Sequence, residues 1–227
     1  RPQNVLENVQ VDDLLRDVKL EFSKEERIYA EHLAALARTK HVAPHTGFVA
    51  ALWAVLTRLR RPRSKNYSGT LGNLVGRITP IQKAYLYDRG RAPEDMTDQE
   101  RRELLANLER IRTEFEDHEE EFEGLLDAAY EGRRGASPRE MQTLLSDAAA
   151  YREFHCLSPL AVLKALRELV KDVSVYDFLR LTPQSGYCDN PRFVDDVELE
   201  YRKIVEEEVQ DSMGLVAERE YQRLFDD

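Results

Sequence analysis

The chain is 227 residues long, 42% hydrophobic and 33% charged, with a net charge of −10, enough apolar material for one sizeable core or two modest ones. No apolar run approaches the roughly 20 residues that a membrane-spanning helix needs, and no secretory leader opens the chain. Cys156 and Cys188 are its two cysteines, too few for a disulfide framework, and this usage points to a reducing, cytoplasmic setting without a membrane.

Arg1 is not an initiator methionine and no capped element precedes it, so the chain reads as a fragment of a larger protein. The first helix is expected over 23–38, with Ser23 as N-cap and Glu26 three residues on. A second follows over 44–60, where Phe48, Val49, Leu52, Trp53, Leu56 and Leu59 recur at core spacing. Residues 61–78 (Pro62, Ser64, Asn66, Ser68, Gly69, Gly72, Gly76) read as a linker. The glycines there are no phosphate loop, because Asn73-Leu74 follows Gly72 where Gly-Lys-Ser or Gly-Lys-Thr is needed.

Thr79-Pro80 starts a helix that Gly90 ends, and Thr97 with Glu100 starts another. The latter is expected from Asp98 to about Tyr130. Its Leu104, Leu108, Ile111, Phe115, His118, Phe122 and Leu125 alternate four and three apart, the seam of a coiled coil or antiparallel hairpin. Helices over 137–150 and 158–170 are each announced by Ser-Pro. Leu181 to Asn190 reads as a second linker, and Asn190-Pro191 opens a helix through Phe193, Val197, Tyr201, Ile204 and Val209. Ala217 to Phe225 is expected to be helical as well. No stretch alternates with period two, so the fold class is all-α.

Charge is unevenly placed. Residues 38–91 hold eleven Lys or Arg against Asp88 alone, while Glu114 to Glu123 carries seven carboxylates in ten residues. Pairing within the chain is the simplest use of this asymmetry. A basic nucleic-acid-binding module centred on Arg58 to Lys65 is the less favoured one, because no aromatic residues are interleaved for stacking.

Candidate chemistry is sparse. His41 and His45 are four apart, but Pro44 starts a helix between them, and no further metal ligand completes the set. His155-Cys156 with Cys188 and Asp189 has ligand types without a Cys-x-x-Cys pair, and adjacent His155 and Cys156 point apart on most backbones. His-Arg-Asp and Asp-Phe-Gly kinase motifs and Walker motifs are absent. No catalytic or metal-binding residue is therefore assigned.

The strongest motif is Gly135-Ala136-Ser137-Pro138-Arg139. Ser137 is a good N-cap, Pro138 suits the first helical position, and Glu140 completes a capping box. Met141, Leu144, Leu145 and Ala148 then form one apolar stripe. A helix start with open amides and an adjacent arginine fork suits phosphate.

Gly-Ala-Ser-Pro-Arg, a helix, then Ser-Pro and another helix resembles the sensor-2 part of the helical lid of AAA+ ATPases. That resemblance carries the phosphate-sensing role to Arg139. Glu26-Arg27-Ile28-Tyr29, His41-Val42-Ala43-Pro44-His45-Thr46, Ala54-Val55-Leu56-Thr57-Arg58-Leu59, and Gly186-Tyr187 onward with Tyr201, Glu207 to Val209 and Tyr221 to Phe225, look like the PrkA-type bacterial serine protein kinases.

This resemblance implies an AAA+ lid-like helical bundle from residues 1–61 and 132–172, a linker and charged helical insert over 62–131, and a C-terminal helical module over 173–227. It further implies a nucleotide-sensing lid and regulatory region whose ATP-binding core, with ATP and Mg2+, lies elsewhere in the same protein. The expected partners are that core, further copies in a ring, and a protein substrate or regulatory partner. A non-catalytic helical interaction scaffold is the alternative.

Overall fold

The computed structural model describes residues 20–113, 131–132 and 134–214. Among these residues there are α-helices and short 3-10 turns but no strand. The all-α expectation holds. The acidic run Glu114–Glu123, the distal seam residues Phe115 to Leu125, and the 217–225 helix all fall outside the described residues.

Helix α1 (Phe22–Leu36) and helix α2 (Thr46–Arg58) pack on one another and are joined by a short loop. Every residue of α2 is buried, so it is the axis on which the other helices pack. Its start is sharper than the expected Pro44. His45 takes a left-handed conformation, φ 61°, and the helix begins at Thr46. The Thr46 hydroxyl donates to Ala43 O at 2.7 Å. The loop before α2 is also pinned from outside, because Ala43 N donates to Leu157 O and Leu157 N to His41 O, both at 2.8 Å. At α1 the expected Ser23 cap is not used. Glu21 is the N-cap, and Ser23 N donates instead to Asp88 Oδ1 at 2.8 Å.

The expected linker over 61–78 contains a helix, α3 (Gly69–Arg77), with Leu71, Leu74 and Val75 buried. Its glycine has a packing role. A Cβ at Gly72 would stand 2.7 Å from Tyr67 O and 2.9 Å from Ser64 O, so only glycine lets α3 lie against the 64–66 turn. Helix α4 (Pro80–Arg89) has the Thr79–Gln82 capping box and ends on Gly90 with φ 62°, as its punctuation predicts.

The expected long helix is broken. It runs as α5 (Asp98–Ala106) and α6 (Leu108–Arg112), separated at Asn107. The Asn107 side-chain amide donates to Glu103 O at 2.8 Å, taking the carbonyl that the next helical amide needs. Leu104 and Ile111 nevertheless stay fully buried.

Helix α7 (Pro138–Ala150) and helix α8 (Pro159–Leu169) begin at the expected caps, Ser137 and Ser158. Both pack on α2, and α7 also packs on α1. Lys40 ties the end of α1 to the end of α7, donating to Ala149 O at 2.9 Å and Tyr151 O at 2.8 Å, which suits the negative end of a helix. Helix α9 (Asn190–Ser212) follows a two-residue turn at Ser185-Gly186 and lies against α2 and α8. One apolar core runs from Leu20 to Val197.

Candidate functional site

The segment before α7 is seated on the end of α2 by backbone and side-chain contacts together. Ala136 N donates to Thr57 Oγ1 at 2.8 Å, and Arg58 Nε donates to Ala136 O at 2.7 Å. The rest of the Arg58 guanidinium turns to Glu25 of α1, with Nη1 and Nη2 each 2.7 Å from a carboxylate oxygen. Tyr29 donates its hydroxyl to the same carboxylate at 2.6 Å, and burial with the nearby Glu25 charge holds its proton on far above the ordinary tyrosine range. Gly135 has φ 130° and lies so close to α2 that a Cβ there would meet Arg58 Cγ at 2.6 Å and Arg58 N at 2.8 Å.

From this anchored segment α7 starts with a complete capping box. Ser137 N donates to Glu140 Oε2 at 2.6 Å, and Glu140 N to Ser137 Oγ at 3.3 Å. Pro138 has no amide hydrogen. These three facts narrow the donor set that the sequence suggests, since the cap occupies amides otherwise open to an anion. Arg139 is exposed in the first turn, and its guanidinium has no hydrogen bond or ion pair among the described residues. The donors left at this helix start are Arg139 N and the Arg139 fork.

A second buried ionic group joins α4 to the residues that follow α2. Lys83 Nζ is 2.6 Å from Glu131 Oε1 and 2.7 Å from Arg60 O, and both ionic side chains are essentially unexposed. Glu131 also accepts from Arg60 N at 2.6 Å and from the Tyr87 hydroxyl at 3.0 Å. Burial, and then the Glu131 charge, push the Tyr87 hydroxyl well above its ordinary range. Much of the basic excess of residues 38–91 is thus used internally. Arg77 faces Glu100, Arg91 faces Glu94, and Arg58 and Lys83 are buried in ion pairs. The acids that meet them are scattered along the chain.

Among the described residues no cluster of His, Cys, Asp and Glu is arranged to hold a metal. His45 is 2.9 Å from Glu208 of α9, and Cys156 and Cys188 are free thiols. Sequence reasoning missed one pair, His32 Nε2 and Ser146 Oγ, 3.0 Å apart between α1 and α7. It does not form a nucleophile and base. The serine hydroxyl already donates to Gln142 O at 2.9 Å, so the imidazole is the donor in the contact, the reverse of what a general base requires. No local signal reveals the pair, because the two residues are 114 positions apart.

The profile of the PrkA serine protein kinase C-terminal domain matches residues 81–227, well over half of the chain. The chain belongs to the PrkA C-terminal domain family. A curated relative, the ATP-dependent protease PrkA of Bacillus subtilis (strain 168), is 26% identical over 208 residues, 91% of this chain. That alignment takes in 27% of the relative, so the chain spans about a quarter of its length. No solved structure matches. The PrkA family match takes in α4 to α9 and the whole Gly135–Arg139 segment, while Thr57, Arg58 and Glu25, on which that segment rests, lie N-terminal to it.

Proposed function

We propose that this chain is the nucleotide-sensing lid and regulatory C-terminal region of an ATP-dependent PrkA-type serine protein kinase, and that Arg139 is its phosphate-reaching residue. The observation that carries this reading is the contrast along five residues. Gly135 and Ala136 are fixed to α2 by close packing and two hydrogen bonds, while Arg139, on the next turn, is exposed and unengaged among the described residues. A rigid seat under a free cationic fork is what a contact with a phosphoryl oxygen requires. ATP with Mg2+ would supply the phosphate chemistry in the core elsewhere in the protein. On this chain, Arg139 would bind and orient the terminal phosphate, and the cap at Ser137 would hold the arginine at its station.

The relative is named a protease and the family is named for a kinase. A phosphate-sensing arginine serves either activity, because both depend on ATP. The test is Arg139→Ala in the full-length protein, read by ATP turnover, by phosphoryl transfer to a protein substrate and by ATP-dependent proteolysis. Loss of a preorganised charged donor corresponds to about 2–4 kcal/mol of transition-state stabilisation. Arg139→Lys is expected to recover part of the loss, since lysine offers a point charge in place of a planar fork. The 227-residue chain carrying Arg139→Ala is expected to keep its stability, as an exposed arginine contributes little to folding. Unchanged ATP turnover in a folded Arg139→Ala protein would remove the reading.

A further inference from the structure

A cleft opens beside α7 on the side away from the α1 contact. It has a volume of about 190 Å³. Glu140, Met141, Thr143, Leu144 and Asp147 of α7 form one wall, and Ala165, Glu168 and Leu169 of α8 another. Tyr151, Tyr176 and Phe178 supply aromatic surface, and Trp53 of α2 lies at the bottom with no solvent exposure.

Two properties of this lining point the same way. First, its charged groups are all acidic: Glu140, Asp147 and Glu168 line it, and no lysine or arginine does. Asp147 is exposed and without a partner among the described residues. Glu140 has one oxygen on Ser137 N, and Glu168 accepts the Tyr151 hydroxyl at 2.5 Å. Lys164 is the cation that faces this rim from α8. It is tied to Glu153 and lies 3.7 Å from Glu168.

Second, the aromatic faces are suited to a flat cation. Tyr176 and Phe178 stack with centroids 5.6 Å apart and planes 9° from parallel. Phe178 meets Trp53 edge-on at 6.1 Å. Lys164 Nζ already stands 4.7 Å from the centre of the Tyr151 ring, so one ring of the set holds a cation in the native fold. The Tyr176 hydroxyl is shifted upward by burial and then by the negative charges of Glu140 and Asp147, which places the field of two rim acids on that ring.

We propose that this cleft binds the guanidinium group of an arginine side chain, held among Asp147, Glu168 and the Tyr176–Phe178 stack. Arginine is preferred to lysine because its plane stacks on aromatic faces and its fork serves more than one carboxylate. The site does not rest on the role given to Arg139, which is not among its lining residues.

Trp53 is the chain's single tryptophan, so its fluorescence reports on this cleft directly. The 227-residue chain is titrated into the millimolar range with the capped tripeptide Gly-Arg-Gly, with its citrulline counterpart of the same shape and no charge, with Gly-Lys-Gly, and with agmatine. The arginine peptide is expected to give a saturable change, with the citrulline peptide at least about fivefold weaker and the lysine peptide between them. Asp147→Asn, an exposed position, is expected to weaken the arginine peptide severalfold while leaving the circular dichroism and thermal midpoint unchanged. An equal response to arginine and citrulline, or no saturable response to either, overturns the proposal. Agmatine binding as tightly as the peptide would identify a small guanidine, and not a peptide, as the source of the group.

Discussion

Arg58 and Glu25 meet in a doubly hydrogen-bonded ion pair, 2.7 Å at each contact, with both side chains almost wholly buried between α1 and α2. The pair is more than a link between two helices. The third face of the guanidinium holds Ala136 O, and the carboxylate also holds the Tyr29 hydroxyl. The segment that carries Arg139 therefore rests on charge buried inside the α1–α2 pair.

Removing one partner leaves the other charged and dry. Glu25→Ala is expected to lower unfolding free energy by about 3–5 kcal/mol, as for other broken buried pairs. The double replacement Glu25→Leu with Arg58→Met is expected to recover only part of this, since Ala136 O and the Tyr29 hydroxyl would remain without partners. Urea unfolding of the three proteins checks both values. A Glu25→Ala loss below about 1 kcal/mol would show that water reaches the pair.

Gly135→Ala tests the seat itself. The position has φ 130°, and the new methyl would meet a backbone nitrogen at 2.8 Å as well as the Arg58 stem. The backbone conformation alone carries a penalty of about 1–3 kcal/mol, and α2 cannot withdraw cheaply because it is the buried axis. In the full-length protein the variant is expected to reduce ATP turnover with Arg139 intact. If melting and turnover are both unchanged, the close approach is not needed to place α7.

The second ionic group makes a separate prediction. Lys83→Met strands Glu131, whose oxygens would keep only Arg60 N and the Tyr87 hydroxyl. Destabilisation of about 3–5 kcal/mol is expected. Adding Glu131→Gln to Lys83→Met is expected to restore part of the loss, because the carboxamide carries no charge to strand. Chemical denaturation of the single and double variants separates the two cases.

What the sequence made legible was local chemistry. The starts of α4, α5, α7 and α8 were readable because Thr79, Thr97, Ser137 and Ser158 cap through atoms within three residues. Distant chemistry was not readable. Gly72 of α3 looks like a linker residue until the Tyr67 and Ser64 carbonyls that it approaches are in place. The seam through Leu104 and Ile111 correctly marks buried positions, but the break at Asn107 depends on a side chain competing for one carbonyl. At the candidate site, Arg139 and its capping box could be read directly. Glu25, 33 residues before Arg58, and the cleft over Trp53 arise only from packing.

Tyr151 offers a pH test at the edge of that cleft. Burial and then its hydrogen bond to Glu168 push its hydroxyl up to about 12, against about 10 for an unperturbed tyrosine. Because the folded value lies above the unfolded one, the stabilisation is fully present below pH about 10 and disappears as pH rises through about 12. Tyr151→Phe is therefore expected to destabilise the chain at neutral pH, by about 0.5–1 kcal/mol for a partly solvated hydrogen bond. The two proteins should converge in stability as pH approaches about 12, where the wild-type hydroxyl ionises beside Glu168. Urea midpoints of the pair at neutral pH and near pH 11 measure this convergence. A difference that stays constant, or grows with pH, would mean that the contribution does not depend on the proton that the hydroxyl donates to Glu168.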